Sequence, residues 1–338
     1  MSFVHDEPDF AQLLAIVARE VGVDVALVEK DYWVTHCLWA LERSGLEVWF
    51  KGGTSLSKGY GLIVRFSEDL DLMIQHGSFQ GLPEVSHWTS TNKGPCAQRR
   101  AFYQGLAQQL LIPSVVLSLD EARLDKYARG ADYIGRYPGA WLQGLAATMS
   151  PFVRFEVGRA RVVPFVPMAL GSFVHDWLSK QGSWPDYTDN RPRALRCVHP
   201  WVTLLEKLDA MARRYDREPM EPDSFVRHYE DAAHIIGAAD RLPPTPMAVT
   251  ELAADMLAQR DIAALPNADE PALLLDDPVR RAGLERAWGA ISPMFWGSRI
   301  SLARSCDIIR AWIEQTFGRE PALAHGRASS ARAIDDTN

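Results

Sequence analysis

In the stretch Ser67-Glu68-Asp69-Leu70-Asp71-Leu72-Met73-Ile74, an extended backbone puts residues two apart on one face. Asp69 and Asp71 then project side by side, while Leu70 and Leu72 point the other way into a core that fixes the register. Two carboxylates held that close repel unless something positive lies between them, and a hard divalent cation with oxygen ligands, such as Mg²⁺, answers that need. The other reading of the pair is two aspartates facing water on a half-exposed strand, although aspartate is depleted in strands. Upstream, Lys51-Gly52-Gly53-Thr54-Ser55 makes a turn at a helix start, where uncovered backbone N–H groups and hydroxyls suit a triphosphate. Gly-Gly turns are also commonly structural, and the GxxxxGK[ST] spacing of a P-loop is absent. Together, a phosphate-holding turn and paired aspartates are what metal-dependent nucleotidyl transfer requires: one element for the β and γ phosphates, the other for metal at the α phosphate. Glu156, in Phe152-Val153-Arg154-Phe155-Glu156-Val157, is the candidate third carboxylate on a neighbouring strand; a solvent-facing glutamate is the plainer reading.

The elements that must carry these residues can be read from spacing. Phe10, Leu13, Leu14, Val17 and Val21 recur at helical intervals up to Gly22, and Leu27, Val34, Leu38 and Leu41 do so between an Asp24 cap and Gly45. Glu47 to Lys51 reads as a strand. Residues from Gly77 to Pro95 are polar and rich in turn formers, so a surface loop is expected there, followed by a helix over about Ala97 to Leu111. Strands are expected again at Phe152 to Val157 and Arg161 to Val166. A boundary falls between Gln181 and Pro192, and the remainder reads as short helices divided by prolines, the last from about Ser298 to Phe317. The organisation expected is a catalytic α/β (α+β) domain over 1–190 with a small mixed sheet and N-terminal helices, a helical domain over 191–318, and a flexible tail over 319–338.

Composition narrows the class. The 338 residues are 47% hydrophobic and 23% charged, an ordinary globular balance, with no apolar run near the roughly 20 residues of a membrane span and no signal-peptide pattern at the start. A cytoplasmic protein is expected. The four cysteines are scattered, so neither a disulfide framework nor a zinc finger is read from them. A net charge of −7 argues against coating nucleic acid by bulk attraction, yet Arg191 to Arg217 holds seven basic residues against three acidic, a locally positive stretch. Along it Leu204, Leu208, Met211 and Tyr215 form a helical stripe with Lys207 and Arg214 on its flank. Further on, Phe225, Tyr229, Ala232 and Ile236 pack while Arg227 and Asp231 lie four apart on another face. A solvated, snorkelling Lys207 and an ordinary Arg227–Asp231 pair are the plainer readings of these groups. The histidines show neither HExxH nor another paired metal spacing.

Several of these segments also carry a likeness in a fixed order. Glu29-Lys30-Asp31-Tyr32-Trp33-Val34 comes first, then Lys51-Gly52-Gly53-Thr54-Ser55-Leu56 with Phe66-Ser67-Glu68-Asp69-Leu70-Asp71-Leu72, then Glu156-Val157-Gly158-Arg159, and last Glu206-Lys207-Leu208 and Arg227-His228-Tyr229-Glu230-Asp231. From about residue 29 to 231 the chain thereby resembles the AbiEii-type nucleotidyltransferase toxins, which include the mycobacterial MenT proteins and belong to the polymerase-β-like superfamily. The resemblance implies a nucleotidyltransferase fold and transfer of a nucleoside monophosphate from an NTP to an RNA acceptor, the 3′ end of tRNA, so that translation stops. It implies Mg²⁺ on Asp69 and Asp71 with Glu156 nearby, and phosphates on Gly52, Gly53, Thr54, Ser55 and Ser67. Lys207 would neutralise the triphosphate, and Asp231 would position that lysine or activate the acceptor hydroxyl. A separately encoded antitoxin would restrain the protein, and no membrane is involved. Two alternatives stand beside this: transfer to a protein hydroxyl, and a non-catalytic nucleotide- or RNA-binding module of the same fold.

Overall fold

A computed structural model describes residues 2–318 apart from 66, 68, 145–148, 184 and 185. The tail expected from 319, and Phe66 and Glu68 of the core motif, lie outside the described residues. Helix α1 (Phe10–Val21) ends at Gly22, whose φ of 69° suits a residue without a Cβ. Helix α2 (Val25–Arg43) opens where the Asp24 carboxylate accepts the Ala26 N–H at 2.8 Å, the expected cap. Strand β1 (Glu47–Lys51) runs into α3 (Gly52–Thr54), which continues as a wider helical turn over Ser55–Gly59. After it come β2 (Asp69–Gln75), α4 (Lys93–Gln109), β3 (Val116–Leu119), β4 (Gly130–Arg136), β5 (Val153–Gly158), β6 (Phe165–Met168), α5 (Phe173–Gln181) and β7 (Leu195–Val198). The rest is helical: α6 (Pro200–Tyr215), α7 (Arg227–Gly237), α8 (Val249–Ala258), α9 (Pro271–Leu274), α10 (Pro278–Ala290) and α11 (Leu302–Phe317).

The strands form one mixed sheet in the order β3-β4-β5-β2-β1-β7-β6, with β2 parallel to β5, β1 parallel to β7 and the other neighbours antiparallel. One face carries Val48, Phe50, Leu70, Leu72, Phe155 and Val157 into the main core, which α1, α2, α4 and α5 complete. On the opposite face, Trp49, Met73 and Val198 pack under Val202 and Leu205 of α6 and Leu252 and Met256 of α8. A third core joins α6, α7, α9, α10 and α11 and reaches back to Leu56 and Ile63, so the helical half grips the turn after β1. No described helix is long and apolar enough to cross a membrane.

The sequence reading needs four corrections. The strand expected over Arg161 to Val166 forms four residues later, because only Phe165 to Met168 finds β7 to pair with. The part beyond Pro192 is not all helical: β7 adds to the sheet beside β1. Strands β3 and β4 and helix α5 stand where the sequence pattern predicts no element. Helix α4 starts at Lys93, before the expected Ala97.

Beneath α2 lies a buried polar network. Tyr32 Oη hydrogen-bonds His5 Nδ1 at 2.7 Å and accepts from Asn190 Nδ2 at 3.0 Å. Asn190 also meets His36 Nδ1 at 2.9 Å and His175 Nε2 at 2.9 Å. Burial lowers His5 and His36 from 6.5 to about 4 and His175 to about 3. These rings fold neutral. As pH falls below 6.5 the unfolded chain takes up protons that the folded chain refuses, so this stability is present above 6.5 and lost toward the folded values, at about 2 kcal/mol per ring by about pH 5. Ring-proton NMR should find all three neutral in the folded protein at about pH 5.5 and titrating near 6.5 in urea. Titration near 6.5 in the folded state would contradict the network.

Candidate active site

Strand register sets the site. Asp71 lies opposite Lys51 on β1 and Glu156 on β5, and Glu156 lies opposite Asp132 on β4. The four therefore make a row across adjacent strands, on the face that Trp49 and Met73 share. Asp69 is on the same face two residues before Asp71. The leucines between them, Leu70 and Leu72, are buried on the other face, so packing holds both aspartates in place. Helix α6 covers this face over Trp49 and Met73 and leaves three of the row, Lys51, Asp71 and Glu156, lining a cleft of about 790 Å³.

The sheet side of the cleft carries Asp69, Asp71 and Glu156 with Lys51 in their row, while Lys207 and Arg214 of α6, Arg227 of α7 and Arg65 bring cations to the same lining, with one further acid, Glu206 of α6. Burial raises the Glu156 carboxyl to about 7, and the charges of Asp71, Asp69 and Asp132 add to it, against a lowering by Arg123. Asp69 has Arg154 Nε at 3.9 Å. Burial opposes the charge of Lys51, but Glu206, with its Oε1 2.8 Å from the ammonium, reverses the effect and holds that amine above its ordinary value.

Arg65 and Lys207 belong to a buried triad. Asp231, 1% exposed, accepts from Arg65 Nε at 2.8 Å, from Arg65 Nη2 at 2.7 Å and from Lys207 Nζ at 2.8 Å. Burial alone would raise the Asp231 carboxyl; Arg65 and Lys207 instead hold it well below the usual carboxylate range. Burial lowers Lys207, Asp231 counters that, and Arg65 lowers it further. Lys207 Nζ also lies 3.2 Å from His228 Nδ1. Lys207 is thus neither solvated nor snorkelling, and Asp231 turns to Arg65 and Lys207 rather than forming the surface i,i+4 pair with Arg227. Asp231 does not line the cleft.

The glycine turn closes the site from below. Gly52 has φ +74°, and a Cβ there would stand 1.7 Å from Asp71 Oδ2; a Cβ on Gly53 would stand 2.7 Å from Arg65 Nη2 and 2.8 Å from Ser67 Oγ. Both glycines and Ser67 line the cleft. Thr54 and Ser55 do not. The Thr54 hydroxyl meets the carbonyls of Ser67 and Asp69 at 3.0 and 2.6 Å, tying the turn to β2, and Ser55 is buried against Cys197. Gly52→Ala should therefore force the Asp71 carboxylate aside and strain the turn, cutting turnover about a hundredfold for a loss of about 1–2 kcal/mol in stability. Steady-state rates beside a urea melt check this; unchanged turnover would mean that Asp71 does not need that position.

Sequence reasoning reached the aspartates, Glu156, both glycines, Ser67 and Lys207, which the fold brings around one cleft. It missed Arg65, the Lys51–Glu206 pair, and the lining by Thr203 and His228 as members of the site. Lys51 was legible as the strand residue preceding the turn. Arg65 had no signal, since its partner is 166 residues away.

The donor set tests a metal on chemistry. Among the described residues no group of three or more His, Cys, Asp and Glu converges to hold an ion. Asp69 and Asp71 nevertheless present oxygen donors side by side at the open cleft, and one or two carboxylates, completed by phosphate oxygens and water, are the usual protein share of a Mg²⁺ site. The residues fit such an ion.

A mixed sheet with a glycine turn after its first strand, paired aspartates on the next and helical cations lining the same cleft defines a nucleotidyltransferase. The chain belongs to the AbiEii family, its residues 38–304 matching the description "Nucleotidyl transferase AbiEii toxin, Type IV TA system". It is accordingly the toxin nucleotidyltransferase of a type IV toxin–antitoxin system, with a nucleotide substrate and an antitoxin partner. The match starts after the Glu29 to Val34 motif. No curated protein matches the chain. Among solved structures, the crystal structure of JHP933 from Helicobacter pylori is similar at 13% identity, over 86% of this chain and 94% of that one, with a TM-score of 0.31.

Proposed function

We propose that this toxin transfers a nucleoside monophosphate from an NTP to an RNA acceptor, the 3′ end of tRNA, and so stops translation. The observation that carries the reading is the make-up of one cleft: Asp69, Asp71 and Glu156 on the sheet, Lys207, Arg214 and Arg227 on the helices, and Gly52 and Gly53 of the turn in the same lining. Backbone N–H groups of Gly52 and Gly53, with Ser67, hold the phosphates, while Lys207 and Arg65 offset the charge that gathers on the departing pyrophosphate. The acceptor hydroxyl oxygen bonds to the α phosphorus as the bond from that phosphorus to the α–β bridging oxygen breaks. Glu156, its carboxyl near 7, is the group suited to take the hydroxyl proton. Asp231 acts through its neighbours, aiming Lys207 and Arg65, whose hydrogen bonds its carboxylate accepts. Asp69 and Asp71 would hold Mg²⁺, which when bound supplies charge stabilisation at the α phosphate.

Incubation with α-labelled NTP, Mg²⁺, total tRNA and a protein lysate tests the acceptor. Label in the tRNA band is the expected result; label in protein bands would move the assignment to a protein hydroxyl, and label in neither would leave a binding module. The metal has its own test. A Glu156 carboxyl raised to about 7 contributes stability below its unfolded value that is lost as pH rises through about 7, where the acids repel. Mg²⁺ should therefore raise Tm more at about pH 8 than at about pH 6. Equal shifts at both pH values would argue against ion binding at these carboxylates.

A further inference from the structure

Ser67 lines two cavities. One is the cleft above; the other, about 740 Å³, lies on the far side of the phosphate turn and is walled by α2, by Ser57 and Lys58, by the start of α5, and by Trp296. It gives the Glu29-Lys30-Asp31 motif a place. The Asp31 carboxylate pairs with Lys58 and also accepts the Phe173 N–H at 2.9 Å, which fastens the rear of the turn to α5. Glu29 and Lys30 are committed to backbone groups, of Ala140, Trp141 and Ser150, and serve the scaffold. Asp176 faces the cavity with its carboxyl raised by burial and by Asp31.

Trp296 is the unusual member. It is 41% exposed, yet it is firmly held: Phe295 pairs with Arg65, the Trp296 N–H donates to the Val64 carbonyl at 3.1 Å, and its ring meets Phe173 edge-on at 6.2 Å. Gly297 allows that approach, since a Cβ there would stand 2.7 Å from Val64. A fixed, part-exposed indole beside a polar cavity is a surface on which a flat aromatic ring stacks.

We propose that this second cavity receives the nucleobase of the NTP, stacked on Trp296, while the triphosphate passes Ser67 into the cleft of Asp69, Asp71 and Lys207. The proposal rests on the chain's use of an NTP. Ser57 and Asp176 are the side chains placed to meet the polar edge of the base or the ribose.

Calorimetric titration of the full chain with each NTP, and separately with inorganic tripolyphosphate, both with Mg²⁺, tests it. Trp296→Ala should weaken binding of the preferred NTP about tenfold or more, and leave tripolyphosphate binding within about twofold. Trp296→Phe should restore most of the loss, and Lys207→Ala should weaken both ligands. NTP binding unchanged by Trp296→Ala, or equal weakening of both ligands, would overturn the base site while leaving the transferase reading intact. A wild-type protein that binds neither ligand would overturn the transferase reading and this site with it.

Discussion

Replacing Asp71 by Asn is expected to reduce nucleotide transfer at least about a thousandfold while leaving the fold as stable as before, or slightly more so. The reasoning is electrostatic. Asp71 stands in register with Glu156, and its charge is the largest contribution after burial to the raised Glu156 carboxyl. Removing that charge relieves repulsion, and Asn fills the same space beside Gly52. Transfer nevertheless loses one of the two anionic carboxylates that would hold Mg²⁺, since the Asn amide oxygen is a neutral and weaker donor. A second readout follows: carboxyl carbon NMR should show the Glu156 titration moving down from about 7 toward the ordinary glutamate value of about 4.3. Retained transfer with a lowered Glu156 value would separate the charge from the chemistry and remove Asp71 from the metal site.

Asp231→Asn should behave in the opposite way, costing stability first. Arg65, 2% exposed, and Lys207 converge on this one carboxylate, so neutralising it leaves two buried cations without their counter-charge. Breaking a buried pair by removing one partner costs about 3–5 kcal/mol. Denaturant unfolding should show that loss as a lower midpoint at an unchanged m-value. Transfer should also fall by about a hundredfold or more in the fraction that remains folded, because Lys207 loses the contact that aims it. A variant of wild-type stability that is catalytically dead would instead identify Asp231 as a reacting group.

These two residues also mark how far the sequence could be read. Asp69 and Asp71 were legible because strand periodicity is local: the leucines between them declare the buried face, and the structure keeps that register against β1 and β5. The Asp24 cap and β1 were legible for the same reason, as was the α/β class. The buried triad was not. Arg65, Lys207 and Asp231 meet across 24 and 166 residues, and nothing in the neighbourhood of Arg65 distinguishes it from a solvated arginine. Lys207 on helical spacing alone favoured a surface position, and only the motif argued otherwise. Strands β3 and β4 hid because the inward residues of β4 are Ala131, Tyr133 and Gly135, a weak hydrophobic alternation, and four-residue β3 pairs with β4 alone; four-residue β7 owes its place to β1, supplied by distant chain. Thr54 shows the converse. Its type and place suited a phosphate contact, but the carbonyls of Ser67 and Asp69 claim its hydroxyl.

Which phosphorus ends up on the acceptor is the sharpest question for this cleft. Parallel reactions with tRNA and the same NTP carrying label at the α or at the γ position should put α label in the RNA and γ label in pyrophosphate, both signals vanishing with Asp71→Asn. Label from the γ position appearing on the acceptor, or α label that stays in free nucleotide, would contradict nucleotidyl transfer to RNA by these residues.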